Sequence, residues 1–235
     1  MTARNHTQIP VRGFFVTGTD TGVGKTLIAC ALLQLYAQAG WRAVGMKPVA
    51  AGAESADGVL RNEDVVALND AANVAAPPEL VNPYCFAEPI APHIAAGKAG
   101  VSIDTDRIVR AYRSLSTLAD CVIVEGAGGF RVPLTRGGDM GHLAASLGLP
   151  VIMVVGMRLG CLNHALLTAE AIRAAGLRLH AWVANHAAPQ PMAYLEENIA
   201  ALEERLDAPL LARVAHDDAI SAADVARRLD RACLL

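Results

Sequence analysis

Residues 18–26 read Gly-Thr-Asp-Thr-Gly-Val-Gly-Lys-Thr and lie between a short apolar run, 14–17, and a segment typical of a helix, 25–39. Glycines in such a turn let backbone N–H groups point at phosphate oxygens, and the following helix adds the positive end of its dipole. Lys25 is placed to bridge the β- and γ-phosphates, and the Thr26 hydroxyl to bind Mg²⁺. The stretch therefore predicts a phosphate-binding loop.

The spacing of this loop is one residue longer than the usual G-x-x-x-x-G-K-[ST] pattern. Thr19 stands where the first glycine of that pattern would be, and five residues separate Gly18 from Gly24. The alternative interpretation is a glycine-rich turn with an incidental Gly-Lys-Thr. Because strand, glycines, lysine, threonine and helix follow in the required order, we favour the phosphate-binding loop.

Outward from the loop, short aliphatic runs alternate with segments of helical periodicity. The predicted strands are 14–17, 42–47, 121–125, 151–155, 179–184 and 210–214, and the predicted helices are 25–39, 63–71, 104–118, 163–175 and 192–206. Between them, the proline-rich stretch 75–92 is predicted to be irregular, and 126–129 to form a glycine-rich turn.

Uninterrupted aliphatic strands separated by helices indicate an α/β fold, in which a mostly parallel sheet has helices on both faces. Since ligands of such sheets bind beyond the carboxyl ends of the strands, the loops that leave this edge are expected to form one site. We predict a single domain, 1–235, of the phosphate-loop NTPase type, with residues 1–11 as a flexible N-terminal extension.

Composition and charge limit the classes of partner. Of the 235 residues, 53% are hydrophobic and 18% charged, which suffices for one sizeable core. The formal net charge of −3 argues against a general affinity for nucleic acid or an anionic membrane. The five cysteines form no C-x-x-C pair, residues 1–11 do not resemble a secretory signal, and no apolar run approaches the roughly 18 residues of a membrane helix. We predict a soluble, cytoplasmic protein that binds small molecules or a second copy of itself.

Charged and amide side chains at strand ends are the candidate ligands. Glu125 ends a strand where the acidic Mg²⁺ ligand of phosphate-loop enzymes lies, whereas Asp64 is more often explained as a first-turn helix charge. Lys47, one of only three lysines among 20 basic residues, stands at the end of another predicted strand at the same edge. Asn185 and His186 follow a further strand; an Asn amide suits a purine edge, and a turn-forming Asn is an equally good interpretation.

Taken in order, segments between residues 13 and 214 resemble the dethiobiotin synthetase family, part of the phosphate-loop group that includes cobyrinic acid synthase and MinD-like ATPases. The matching segments are 15–26 (FVTGTDTGVGKT), 45–50 (GMKPVA), 61–64 (RNED), 81–84 (VNPY), 91–93 (APH), 124–129 (VEGAGG), 160–165 (GCLNHA) and 182–185 (WVAN). The family's loop shares the longer spacing, so the departure at Thr19 supports the resemblance.

The resemblance implies an ATP-dependent cyclo-ligase of biotin biosynthesis, with ATP and Mg²⁺ as cofactors. In the family, 7,8-diaminononanoate, CO₂ and MgATP give dethiobiotin, ADP and phosphate. One amine takes up CO₂ as a carbamate, a carbamate oxygen attacks the γ-phosphate, and the second amine closes the ureido ring and expels phosphate. A homodimer with active sites at the interface is also implied.

The resemblance also implies roles for individual residues. Thr26, Asp64 and Glu125 would bind Mg²⁺, and Lys25 and Lys47 would neutralise the carbamate and the transferring phosphoryl group. The catalytic set is then Lys47, Lys25 and Thr21, and the nucleotide-binding set is Gly22, Val23, Gly24, Lys25, Thr26, Leu27, Asp64, Glu125, Gly126, Ala127, Gly128, Asn185, which would read the adenine, and His186.

The implied substrate contacts are Thr21 near the amines, Lys47, and Ala51, which stands where the family can carry a serine. The turn Gly160, Cys161, Leu162 and Asn163 opens a helix, and its amides would bind the substrate's tail carboxylate from the partner subunit, as helix N-termini bind anions. The alternative for Asn163 is a simple helix cap.

Two other functions compete with this interpretation. A MinD-like switch, driven by nucleotide-dependent dimerisation, typically carries an extra lysine early in its loop, near Gly18 or Thr19, where this chain has none. Residues 222–235 are also a weak match to a membrane-targeting amphipathic C-terminus. A cobyrinic-type amidoligase needs a glutaminase domain, for which we expect no room in 235 residues.

Overall fold

The computed structural model describes residues 12–190 and 192–235, so the predicted N-terminal extension 1–11 lies outside the described residues. In chain order the elements are β1 (Arg12–Gly18), α1 (Lys25–Gln38), β2 (Ala43–Met46), β3 (Val49–Ala51), β4 (Glu54–Ala56), β5 (Val59–Arg61), α2 (Glu63–Ala71), α3 (Pro78–Val81), β6 (Tyr84–Phe86), α4 (Pro92–Lys98), α5 (Thr105–Leu118), β7 (Cys121–Gly129), α6 (Met140–Leu147), β8 (Val151–Gly156), α7 (Cys161–Ala174), β9 (Leu179–Asn185), α8 (Leu195–Arg205), β10 (Leu210–Val214), α9 (Ala222–Ala226) and a 3₁₀ turn (Arg231–Cys233).

A six-stranded sheet forms the centre of the molecule, in the order β10-β9-β8-β1-β7-β2, and every neighbouring pair is parallel. All six residues of β8 are buried, as expected of a strand covered on both faces. Side chains of β1 alternate between the two faces: Phe14 and Val16 pack with α1, and Phe15 lies in the cluster on the other face. The predicted α/β fold with a parallel sheet and helices on both faces is confirmed.

The structure corrects several local predictions. β7 does not turn at Gly126 but continues to Gly129, which still pairs with Gly18 of β1 after a register shift. The stretch predicted to be irregular contains α3 and β6, and α3 begins at Pro78, in the first turn where proline costs no hydrogen bond. Helix α6 was not predicted; the Asp139 side chain caps it by accepting from the His142 N–H.

After β2 the chain leaves the central sheet and forms strands of two smaller sheets, each of two strands. β3 pairs in parallel with β6, with Val49 opposite Tyr84, and β4 pairs with β5 in an antiparallel hairpin. Residues 49–61, in which no strand was predicted, therefore contain three short strands. Of these strands, β3 contributes Val49 and Ala51 to the lining of the cavity described below.

Across residues 12–190 and 192–235, no helix is both long and apolar enough to cross a membrane.

Candidate active site

The phosphate loop joins β1 to α1 in a conformation that depends on two glycines. Gly22 and Gly24 have φ angles of 72° and 89°, the left-handed region that side chains disfavour. At Gly24 an added Cβ would also lie 2.2 Å from Asn185 Nδ2. Lys25 opens α1, and its Nζ donates to the Asp20 carbonyl oxygen at 3.0 Å. The loop thus places a lysine and a helix N-terminus together, the arrangement that binds phosphate.

Asn185 ties the end of β9 to this loop. Its side chain is buried, and its Nδ2 donates to the Val23 carbonyl oxygen at 2.7 Å. His186, the next residue, donates its backbone N–H to the Val214 oxygen, and its Nε2 lies 2.9 Å from the Gln190 oxygen. Asn185 therefore supports the loop in this structure, and its predicted contact with adenine stays a prediction.

A small cavity of about 150 Å³ opens beside the loop on the side of β8 and β9. Its lining residues are Gly22, Val23, Gly156, Met157, Arg158, Ala187 and Ala188. All of them lie in or next to loops at the carboxyl ends of β1, β8 and β9. It therefore lies at the edge of the sheet where ligands of such folds bind.

Four predicted site residues from four different elements meet beside the loop. Thr26 Oγ1 lies 2.7 Å from Asp64 Oδ1 and 2.9 Å from Glu125 Oε1, within donating distance of either. Lys47 Nζ donates to Asp64 Oδ2 and to Glu125 Oε1, both at 2.6 Å. Side chains from α1, the residue after β2, the start of α2 and β7 therefore meet beside the phosphate loop.

Local sequence explains how Asp64 reaches this position. Asn62 caps α2 by accepting the Asp64 N–H at 3.1 Å, and its Nδ2 donates to the Ala51 carbonyl oxygen at 3.2 Å. A carboxylate in the first helical turn is favoured by the helix dipole. The cap therefore anchors the start of α2 to β3 and turns Asp64 towards Lys47.

Burial and mutual charge determine how these groups ionise. Burial raises the pKa of Glu125, and the neighbouring Lys47 only partly opposes this. Burial alone would lower the pKa of Lys47, but the Glu125 and Asp64 carboxylates outweigh it and raise that pKa. For Asp64, burial alone would raise the pKa, but the charge of Lys47 together with the hydrogen bonds from Lys47 and Thr26 outweighs burial, so the pKa is lowered. Lys47 is thus a cation and Asp64 an anion near neutral pH.

The second lysine has a different electrostatic setting. Burial, and next the charge of Lys47, lower the pKa of Lys25, although Glu125 and Asp64 oppose the shift. A negative group placed beside Lys25, such as a phosphate, would stabilise the charged form of this lysine.

The donor set also fits Mg²⁺. Glu125 Oε2 is buried and has no hydrogen-bond partner among the described residues, which is costly for a carboxylate oxygen. A hard cation that prefers oxygen ligands would satisfy it. No group of three or more His, Cys, Asp or Glu side chains suited to a metal occurs within 12–190 and 192–235. A Mg²⁺ at Asp64 and Glu125 would therefore also need the Thr26 hydroxyl, phosphate oxygens or water, as is usual for this ion.

Replacing Glu125 by Gln is expected to raise the Mg²⁺ concentration for half-maximal activity by about 10-fold or more, because a charged oxygen ligand becomes neutral. The measurement is a Mg²⁺ titration of the initial rate at saturating ATP. Glu170→Gln, an exposed position on α7, is the matched control and is expected to leave the titration unchanged. An unchanged Mg²⁺ profile in Glu125→Gln would remove this residue from the ligand set.

The main cavity, of about 700 Å³, has one charged end and one apolar wall. Its charged end includes Lys25, Thr26, Lys47, Asp64 and Glu125, beside Thr21. The apolar wall consists of Val49, Ala51, Pro89, Ile90, Ala91, Pro92, Ala127 and Val132. Most of this wall was missed at the level of sequence, although residues 91–93 were noted as a matching segment without a role.

Some predicted site residues do not line this cavity. Gly160–Asn163 form the start of α7, where Gly160 has a φ of 97°, and they lie outside the cavity of their own chain. Leu27, a residue of α1, is partly buried against the hydrophobic cluster between α1 and the sheet. A Cβ added at Gly126 would lie 3.1 Å from the Phe15 ring. The turn at Gly160–Asn163 can therefore contribute to a site only outside its own cavity.

Comparison with known proteins agrees with this geometry. A family model described as an AAA domain, AAA_26, matches residues 12–224. The ATP-dependent dethiobiotin synthetase BioD of Nitrosospira multiformis is 53% identical over 219 residues, covering 93% of this chain and 95% of that protein. The chain belongs to the dethiobiotin synthetase family. The BioD protein of Aromatoleum aromaticum is also 53% identical, over 93% of this chain and 96% of its own.

Solved structures show the relationship of this dethiobiotin synthetase family member to a broader fold group. MinD from Pyrococcus horikoshii, complexed with Mg-ADP, superimposes with a TM-score of 0.58 at 15% identity, covering 92% of each chain. A ParA family ATPase from Chlorobium tepidum gives 0.54 at 15% identity, over 92% of this chain and 90% of that one. At such identities the likeness shows the fold alone, so the resemblance to MinD is one of architecture.

Proposed function

We propose that the chain is an ATP- and Mg²⁺-dependent dethiobiotin synthetase, which carboxylates 7,8-diaminononanoate with CO₂ and closes the ureido ring, releasing ADP and phosphate. The observation that carries the proposal is the contact of Lys47 with Asp64 and Glu125 beside the phosphate loop. Family membership supports the same reaction. The direct test is whether phosphate release depends on the diamine, which a nucleotide-driven switch would not show.

In the proposed mechanism the phosphate loop binds ATP, and Lys25 and Lys47 neutralise negative charge on the reacting groups. Backbone N–H groups at the start of α1 bind the phosphates of ATP, and Lys25 neutralises charge on the γ-phosphoryl group during its transfer. Lys47, a buried cation, neutralises the carbamate as its oxygen attacks phosphorus. Mg²⁺, held by Thr26, Asp64 and Glu125, would supply further charge neutralisation on the phosphates. Fixed charges of this kind are the main means by which proteins accelerate phosphoryl transfer.

The apolar wall of the main cavity suits the hydrocarbon part of the substrate. Val49, Ile90 and Val132 of this wall line the same cavity as Thr21 and the two lysines. A diamine with an alkyl chain would place its two nitrogens near the lysines and its methylenes against this wall. Burial of each methylene contributes about 0.8 kcal/mol, so the wall can select for chain length.

The substrate's tail carboxylate is proposed to reach the N-terminus of α7 in a partner subunit, making the enzyme a homodimer. The 14-residue helix begins at the Gly160–Asn163 turn, away from the cavity of its own chain. Leu159 and Leu167 flank this turn and are 97% and 56% exposed. Exposed large apolar side chains beside an anion site favour burial against a second copy. The cytoplasmic location expected from the sequence stays a prediction.

A heterodimer of two impaired variants is expected to recover activity. Asn163→Glu keeps a favourable acidic residue in the first turn of α7 but repels the substrate carboxylate, so KM for the diamine should rise about 10-fold or more. A dimer of one Lys47→Gln subunit and one Asn163→Glu subunit, isolated through two affinity tags, contains one site with both groups intact. At a diamine concentration well below KM it should therefore show about half the wild-type rate, whereas the mean of the two parents is far lower. A rate no higher than the mean of the two parent homodimers would contradict a shared site.

A further inference from the structure

Lys47 lies at a break between two sheets. β2 ends at Met46 in the central sheet, and β3 begins at Val49 in the smaller one. Pro48, between them, has no N–H to donate. A residue in such a gap is without the strand pairing that fixes its neighbours, so something else must hold the backbone from which the lysine side chain extends.

The segment Val81–Tyr84 supplies those hydrogen bonds. The Lys47 N–H donates to the Val81 carbonyl oxygen at 2.8 Å, and Asn82 Nδ2 donates to the Lys47 carbonyl oxygen at 2.6 Å. The same Nδ2 donates to the Tyr84 oxygen at 2.9 Å. Both backbone polar groups of Lys47 are therefore held by this segment, and one side-chain amide joins Lys47 to the first residue of β6.

Asn82 is itself held in place. Its N–H donates to the Pro78 carbonyl oxygen at 2.8 Å, which makes it the C-terminal cap of α3, and Pro83 restricts the backbone on its other side. An amide has two donors on one nitrogen, the number needed to bridge two carbonyl oxygens. Neither Asp nor Ala could replace it in this role, since a carboxylate only accepts and alanine does neither.

We propose that Asn82 is a positioning residue for Lys47, and that it holds the lysine backbone so that the ammonium reaches the reacting anions. The inference rests on the proposed role of Lys47. In this structure the ammonium contacts Asp64 and Glu125. When it leaves these carboxylates for an anionic substrate, the ion pairs no longer fix it, whereas the bond from Asn82 remains. Misplacement of a catalytic group by about 1 Å can cost up to 100-fold in rate.

Asn82→Ala is expected to lower kcat about 10-fold while KM for ATP stays within about twofold, because Lys47 acts on the transition state and the phosphate loop is untouched. Asn73→Ala is the matched control. Asn73 braces the other end of β2 in the same manner, accepting from the Ala43 N–H at 2.7 Å and donating to the Trp41 oxygen at 2.9 Å. Asn73→Ala is expected to lower the free energy of unfolding by about as much as Asn82→Ala does and to leave kcat unchanged.

A double mutant distinguishes an effect of Asn82 on the position of Lys47 from a general loss of structure. In a Lys47→Gln background, Asn82→Ala should have little further effect on kcat, because the group that it positions is gone. Equal losses in both backgrounds, or equal kcat for Asn82→Ala and Asn73→Ala, would overturn the inference. If the alanine variant does not fold, Asn82→Ser, which keeps a single donor, replaces it in the same measurement. A wild-type kcat in Asn82→Ser would also count against the proposal. Retained activity in Lys47→Gln alone would instead refute the proposed role of Lys47.

Discussion

Lys47→Gln is expected to lower kcat by about 100-fold or more, the size of effect seen when a preorganised group that stabilises a developing charge is removed. The side chain is only 6% exposed and lies within 2.6 Å of two carboxylates, so its positive charge acts in a poorly solvated site. Glutamine retains much of the length and a donor but not the charge. The measurement is kcat at saturating ATP, Mg²⁺ and diamine.

Loss of folding must be separated from loss of chemistry in this variant. Removing one partner from a buried ion pair costs about 3–5 kcal/mol, so thermal unfolding and circular dichroism should accompany the kinetics. Lys98→Gln is the matched control, since Lys98 forms an ion pair with Glu88 at 2.9 Å on the surface and both side chains are more than half exposed. It should retain full activity and stability. Substantial turnover in folded Lys47→Gln would remove Lys47 from the chemistry.

Gly24→Ala is expected to weaken ATP binding by about 100-fold or more, equivalent to roughly 3 kcal/mol. The backbone there has a φ of 89°, and the new methyl group would lie 2.2 Å from Asn185 Nδ2. Either the phosphate loop moves or Asn185 loses its bond to the Val23 oxygen, and a buried amide left unpaired costs about 1–3 kcal/mol. Calorimetric titration with a non-hydrolysable ATP analogue measures the loss.

Gly40→Ala provides the comparison for backbone strain alone. Gly40 follows the other end of α1 with a φ of 84°, and an added Cβ would meet no described atom within 4 Å. It should cost about 1–2 kcal/mol of stability without changing ATP affinity. If the two alanine variants bound the analogue equally, the close approach of Asn185 to the loop would not be required for nucleotide binding.

The central sheet could be predicted from the sequence because its signals are local and strong. The continuous aliphatic run of β8 and the glycine-lysine-threonine junction between β1 and α1 each specify one element without reference to the rest. The pairing of β3 with β6 could not be predicted, since each strand has three residues and the contact joins distant parts of the chain. The extension of β7 through its glycines could not be predicted either, because it depends on pairing with Gly18 of the neighbouring strand β1.

The residues of the candidate site also divide into those that the sequence could predict and those that it could not. Glu125 and Lys47 followed from the rule that strand ends meet at one edge, and the family resemblance strengthened the case for Asp64. The apolar wall depends at Ile90 on how residues 81–92 fold back over β3 and at Val132 on the turn that follows β7, and no periodicity encodes either. Asn82 was part of a matching segment, yet its hydrogen bonds to Lys47 and Tyr84 are visible only in three dimensions.

The most direct test of the proposed function is phosphate release by the purified protein with MgATP and bicarbonate, in the presence and absence of 7,8-diaminononanoate. The proposed ligase should release phosphate at a rate that depends on the diamine and saturates with it, in proportion to the dethiobiotin formed. Phosphate release no greater than in the control without diamine would contradict the assignment.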